Sequence, residues 1–139
     1  MSADPLTPGA ALRLALLRGR YAVCRLPAQA ALPDWVETKP IGQEDLLSLT
    51  WRGDETSLVC PEGCVPPDVK AERGWRVVAV AGPLEFELVG VLSSLLEPLK
   101  KASVSVFALS TYDTDLLLIK EAHLDRALLA LEQAGHLVE

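Results

Sequence analysis

The second half of the chain predicts an α/β (α+β) domain in which two helices cover one face of an antiparallel sheet. Three observations predict it. Leu88, Leu92, Leu95 and Leu99 recur at helical spacing and give one apolar face. Leu124, Ala127, Leu128 and Leu131 repeat the pattern. Around these two stripes lie short apolar runs bounded by turn residues, at 75–81, 104–109, 114–119 and 136–138. In order they read β-α-β-β-α-β, the ferredoxin-like split arrangement.

The first half reads as short strands and turns. Residues 12–17 and 21–26 are apolar runs around Arg18-Gly19-Arg20, the pattern of a hairpin. Leu32-Pro33-Asp34-Trp35 reads as a turn or one helical turn. Residues 46–51 and 56–60 are two more strand segments, joined by the polar Arg52-Gly53-Asp54-Glu55. Pro66-Pro67 cannot continue a strand, and Pro67 or Asp68 suits the start of a short helix over 68–72. Arg73-Gly74 is the expected joint between an N-terminal, strand-rich unit, 1–73, and a C-terminal unit, 74–139.

In the second half, Val77, Val78 and Val80 mark a buried strand that Gly82-Pro83 ends. The first helix begins near Phe86 or Leu88 and runs to Lys101. Pro98 takes one backbone bond from it, and Lys100 and Lys101 suit the negative end of its dipole. Ser110-Thr111-Tyr112-Asp113 turns one strand into the next. The second helix covers 121–134, Gly135 stops it, and 136–138 is long enough for a terminal edge strand.

Half of the 139 residues are hydrophobic, which suffices for a core and argues against a disordered chain. The net charge of −6 opposes binding to phosphate backbones, so nucleic acid is not an expected partner. Arg13, Arg18, Arg20 and Arg25 read as a solvated strand face. No membrane association is expected, because no apolar run is long enough to span a bilayer. Residues 1–9 lack the basic start of a secretory signal. Cys24, Cys60 and Cys64 read as reduced thiols, which points to a cytoplasmic protein. Cys60-x-x-x-Cys64 departs from zinc-knuckle spacing, and His123 and His136 are remote from it in sequence, so neither metal nor cofactor is expected. There is no nucleophile elbow, phosphate loop or dinucleotide glycine pattern. Nothing in the sequence brings a cysteine and a histidine base together, and the chain reads as a non-enzyme.

Two segments are more specific. One is Gly82-Pro83-Leu84-Glu85-Phe86-Glu87-Leu88-Val89-Gly90-Val91-Leu92. The other is Val104-Ser105-Val106-Phe107-Ala108-Leu109-Ser110-Thr111-Tyr112-Asp113-Thr114-Asp115. Together they resemble the ACT domains of aspartate kinases, and more closely the small ACT proteins related to the CASTOR arginine sensors. The resemblance covers 75–134, and Ser57-Leu58-Val59-Cys60-Pro61-Glu62 extends it loosely into the first half. It implies a ferredoxin-like βαββαβ ACT fold in two tandem ACT-like units. It also implies a homodimer through paired units, an amino acid bound where units meet, and a regulated partner protein that reads the binding. No catalytic domain accompanies the units in these residues, so the expected role is sensing without chemistry.

The residues suit that role chemically. Free N–H groups at a helix start hold a carboxylate, and residues 85–89 are placed to present them. Gly82 permits a tight turn and Pro83 stiffens it. Asp113 and Asp115 are acceptors for an ammonium group, and Ser110, Thr111 and Thr114 add hydroxyls. The candidate ligand-binding residues are therefore Gly82, Pro83, Leu84, Glu85, Phe86, Leu88, Val89, Ser110, Thr111, Asp113 and Thr114. The acidic side chains lean towards a cationic amino acid such as arginine or lysine. Plainer roles compete. Ser, Thr and Asp are ordinary turn formers, Leu84 and Phe86 suit packing, and Glu85 and Glu87 suit a helix dipole. Trp35, Trp51 and Trp75 read as core or interface anchors. The alternative function is a ligand-free module that dimerises through sheet edges.

Overall fold

The computed structural model describes residues 11–36, 46–81 and 90–139. They form strands β1 (Arg13–Leu16), β2 (Tyr21–Leu26), β3 (Ser48–Arg52), β4 (Glu55–Pro61), β5 (Ala71–Val80), β6 (Phe107–Ser110), β7 (Asp115–Lys120) and β8 (Leu137–Val138). The helices are α1 (Val91–Lys101) and α2 (Leu124–Gln133). The chain divides into two compact units. One is Leu17–Arg76; the other is Val77–Glu139 together with the N-terminal stretch that carries β1. Arg73-Gly74, the expected joint, lies inside β5.

In the unit Leu17–Arg76 the strands run β3-β4-β2-β5. β2 and β4 are antiparallel, in register from Tyr21↔Pro61 to Leu26↔Thr56. Side chains alternate across a strand, so Ala22, Cys24 and Leu26 share a face with Leu58 and Cys60 of the partner. With Val36 and Val65 these residues form one core. Trp51 is no core anchor: it is 60% exposed, and its indole N–H donates to the Ala30 carbonyl at 2.7 Å.

Two local expectations give way to pairing with β5. The helix expected over 68–72 does not form. The Val69 N–H bonds the Pro66 carbonyl in a single turn, the Arg25 N–H takes the Lys70 carbonyl, and from Ala71 the chain joins β2. One helical turn yields little for the backbone it fixes, whereas the β2 edge offers a ladder. Arg73 reaches back to the Pro66 carbonyl at 2.9 Å and pins the loop. Likewise, 12–17 and 21–26 do not pair as a hairpin. β1 and β2 both run antiparallel to β5, β1 along its last residues and β2 along its first. Gly19, at φ +78°, takes a left-handed backbone conformation in the bend between β1 and β2 without reversing the chain.

In the other unit, β5-α1-β6-β7-α2-β8 follows the expected βαββαβ order. β1 adds a strand between β5 and β8, antiparallel to the first and parallel to the second. Val91, Leu95 and Leu99 of α1 and Leu124, Ala127 and Leu131 of α2 are buried. Most of them join Leu14, Val78, Val80, Leu117 and Ile119 in one core. Leu92 and Leu128 are partly buried against it, and Leu88 lies outside the described residues. Glu121–His123 is a 3-10 turn ahead of α2, not part of it.

Pro98 lies within α1 and lacks an N–H, so the Ser94 carbonyl four residues earlier loses its helical donor. His136 supplies one. Its Nε2 lies 3.1 Å from the Ser94 carbonyl oxygen, and its Nδ1 lies 3.1 Å from the Leu12 nitrogen. A backbone N–H only donates and a carbonyl only accepts. Nδ1 is therefore the acceptor, and Nε2 carries the hydrogen.

Candidate functional site

The hairpin of β6 and β7 runs in register from Phe107↔Leu118 to Ser110↔Asp115. Its tip is held by short polar side chains. The Thr111 N–H donates to the Thr114 carbonyl at 2.8 Å, and the Thr114 N–H donates to Thr111 Oγ1 at 3.2 Å. The Ser110 hydroxyl donates to Asp115 Oδ1 at 2.6 Å. The Thr114 hydroxyl donates to the Val80 carbonyl at 2.7 Å and fastens the hairpin to the end of β5. Asp113 and Tyr112 stand exposed at the tip.

The second element of the candidate site is the start of α1. Gly90 is its N-cap residue at φ 88°, with no side-chain cap and no acidic residue in the first turn. The Ser94 N–H returns to the Gly90 carbonyl at 2.9 Å. Residues 91–93 thus begin the helix with backbone donors that no cap side chain takes up. The first turn is held from behind by the His136–Ser94 bond.

Of the predicted site residues, Ser110, Thr111, Asp113 and Thr114 come together on the hairpin tip. Gly82, Pro83, Leu84, Glu85, Phe86, Leu88 and Val89 lie outside the described residues. The strand that leads to them is anchored at both sides. Thr114 holds Val80, and the Ala81 N–H donates to the Arg13 carbonyl at 2.7 Å. Asp115, offered as an acceptor, is already bonded by Ser110. Sequence reasoning missed His136. The signal was a proline in a helical stripe, which orphans the carbonyl four residues before it.

Elsewhere, the ends of α1 and α2 frame an open groove of about 410 Å³ lined by Glu97, Pro98, Lys101, Ala102, Ala130, Gln133 and Ala134. It contains none of the predicted residues. Among the described residues no group of three or more His, Cys, Asp or Glu side chains is placed to hold a metal ion. No described helix is long and apolar enough to cross a membrane.

Comparison with known proteins bears on the same segments. Residues 70–133, from β5 into the end of α2, match the family model described as the ACT domain. The chain belongs to the ACT-domain family. In this ACT-domain chain, residues 19–68 match a second model, described as an N-terminal domain. A protein of known crystal structure from Agobacterium tumefaciens is 32% identical, with a TM-score of 0.82 over 93% of this chain and 92% of that one. The ligand-free regulatory subunit of aspartate kinase from Thermus thermophilus shares the fold, with a TM-score of 0.51 at 10% identity, over 88% of this chain and 97% of that one. The aspartate kinase of Clostridium acetobutylicum does so with a TM-score of 0.60 at 12% identity, over 87% of this chain and 33% of that much longer one. No curated protein matches.

Proposed function

We propose that this ACT-domain chain is a cytoplasmic regulatory protein that binds an amino acid and catalyses nothing. The observation that carries the reading is the match of residues 70–133 to the ACT domain, because that stretch holds both chemically suited segments. The uncapped start of α1 supplies donors for a carboxylate. Asp113, exposed at a hairpin tip that Thr114 fastens to β5, supplies an acceptor for an ammonium or guanidinium group. In sequence, residues 82–89 fall between the end of β5 and the start of α1. In this reading two copies of the chain pair, the ligand favours the paired arrangement that encloses it, and a partner protein responds to that arrangement. The exposed Asp113 carboxylate favours a cationic ligand such as arginine or lysine.

Isothermal titration of the purified chain with arginine, lysine, aspartate and threonine tests the reading. Saturable binding of one or two of these, lost in Asp113→Ala, is expected. A second reading has an observation in its favour: the hydroxyls of Ser110, Thr111 and Thr114 are already engaged in holding the turn. That suits a module that pairs through its sheet edges and takes no ligand. Titrations without heat for any amino acid, from a chain that is dimeric by light scattering, would favour it.

A further inference from the structure

Trp51, expected to anchor a core or an interface, anchors no core and stands on a sheet edge. β3 is the outermost strand on its side of the sheet in the unit Leu17–Arg76, and no described strand pairs with its outer side. Folded proteins blunt such edges with lysine, proline, bulges or inward-pointing charges. β3 reads Ser48-Leu49-Thr50-Trp51-Arg52 and pairs with β4 in unbroken register from Ser48↔Val59 to Arg52↔Glu55. It carries neither proline nor bulge. Its one charge, Arg52, lies 3.9 Å from Glu55 of the same hairpin. The edge strand β8 of the other unit is different: it has two residues and ends beside the Arg13–Glu139 ion pair.

The backbone decides which groups β3 offers. The turn Gly53-Asp54 is closed by a bonded pair, Arg52 and Glu55. Bonded and non-bonded pairs alternate along an antiparallel ladder. Arg52, Thr50 and Ser48 therefore direct their N–H and C=O groups to β4, and Leu49 and Trp51 direct theirs outward. Consider a second β3, antiparallel, with Thr50 opposite its own copy. Leu49 then lies opposite the partner's Trp51, and Trp51 opposite the partner's Leu49. Both are positions with outward groups, so each pair exchanges two backbone bonds.

The side chains agree with that register. Leu49 packs against the core of its unit, and Trp51, two residues on, shares its face. The indole bond to the Ala30 carbonyl already holds the ring in place. Pairing would cover exposed indole surface with the partner's Leu49. On the opposite face Thr50 meets the partner's Thr50, a favourable cross-strand pair. Ser48 meets the partner's Arg52, so no like charges face each other.

We propose that two copies of the chain pair through β3, antiparallel and centred on Thr50, so that their sheets become one. The edge is its own partner, so the assembly closes as a twofold dimer. This interface lies outside residues 70–133, names an edge that the amino-acid reading leaves open, and needs no ligand. A five-residue edge makes a small interface, so the dimer is expected to dissociate on dilution.

The test is sedimentation velocity of the full chain from micromolar to millimolar concentration, without added amino acid. A monomer–dimer equilibrium is expected. Thr50 is exposed, so Thr50→Lys should leave the dilute chain's thermal midpoint unchanged. It sets two like charges against each other on the axis and should weaken the dimer several-fold. Thr50→Cys and Ser48→Cys, each combined with Cys64→Ser and treated with oxidised glutathione, test the register. A non-bonded pair has Cα atoms about 4.5 Å apart, within the roughly 4.4–6.8 Å of a disulfide. Thr50→Cys should therefore link two chains, and Ser48→Cys, opposite the partner's Arg52, should not. A chain that is monomeric throughout, a dimer that Thr50→Lys leaves intact, or equal linking of the two cysteine variants would each overturn the proposal. Amino-acid titration of Thr50→Lys is read separately: binding retained there leaves the amino-acid reading standing whatever becomes of this edge.

Discussion

His136 bridges a gap that Pro98 opens. It is buried at 4% exposure, and both ring nitrogens have backbone partners, Leu12 N–H and the Ser94 carbonyl. Replacing it with leucine leaves both groups without that partner. His136→Leu is expected to cost about 1–3 kcal/mol, measured by urea unfolding. Pro98→Ala restores a helical donor for Ser94, so His136→Leu should cost about 1 kcal/mol less in that background. Strict additivity of the two changes would contradict the repair. Thr114 offers a second test at this scale. Thr114→Val removes the hydroxyl that holds Val80 and is expected to lower stability by about 1 kcal/mol in the same unfolding measurement. Neither role was legible in the sequence. The polar types at 110–114 announced a turn, but which hydroxyl reaches a neighbouring strand depends on contacts far along the chain.

Both helices end in the same way, with different residues. After α2 the His136 N–H returns to the Leu131 carbonyl and the Gly135 N–H to Glu132, with Gly135 at φ +99°. After α1 the Val104 N–H returns to Leu99 and the Ser103 N–H to Lys100, with Ser103 at φ +59°. A side chain in this left-handed position costs roughly 1–2 kcal/mol, which glycine avoids. Ser103→Gly is therefore expected to raise the midpoint of thermal unfolding and Gly135→Ala to lower it. Equal midpoints for all three proteins would refute the assignment of these caps. The cap also explains a boundary. Strand 104–109 was expected, yet β6 starts at Phe107, because Val104 is still closing the helix. Gly135 was readable as a stop because glycine signals one; Ser103 carries no such signal. The leucine stripes were readable because helical spacing records which face is buried. The start of α1 was not, since the same apolar residues continue upstream of Gly90.

Over the whole chain, the order βαββαβ after Ala71 was visible in local patterns, and strand partners were not. Residues 12–17 and 21–26 carry the alternation and the central glycine of a hairpin, yet each pairs with β5. β1 thereby joins the unit that holds β8, more than a hundred residues on. Local sequence specifies a strand and its buried face; a long-range register is set by which edges remain unsatisfied. The same limit applies to function. The hairpin tip and the start of α1 are each suited to one end of an amino acid, and the family match joins them in one reading. The most direct test is a thermal-shift screen of the purified chain against the twenty amino acids. A ligand that binds only the folded protein raises its midpoint as concentration exceeds Kd. The account predicts a selective rise for one or two amino acids, arginine or lysine foremost, that vanishes in Asp113→Ala. A flat profile across all twenty, at millimolar concentrations, would contradict it.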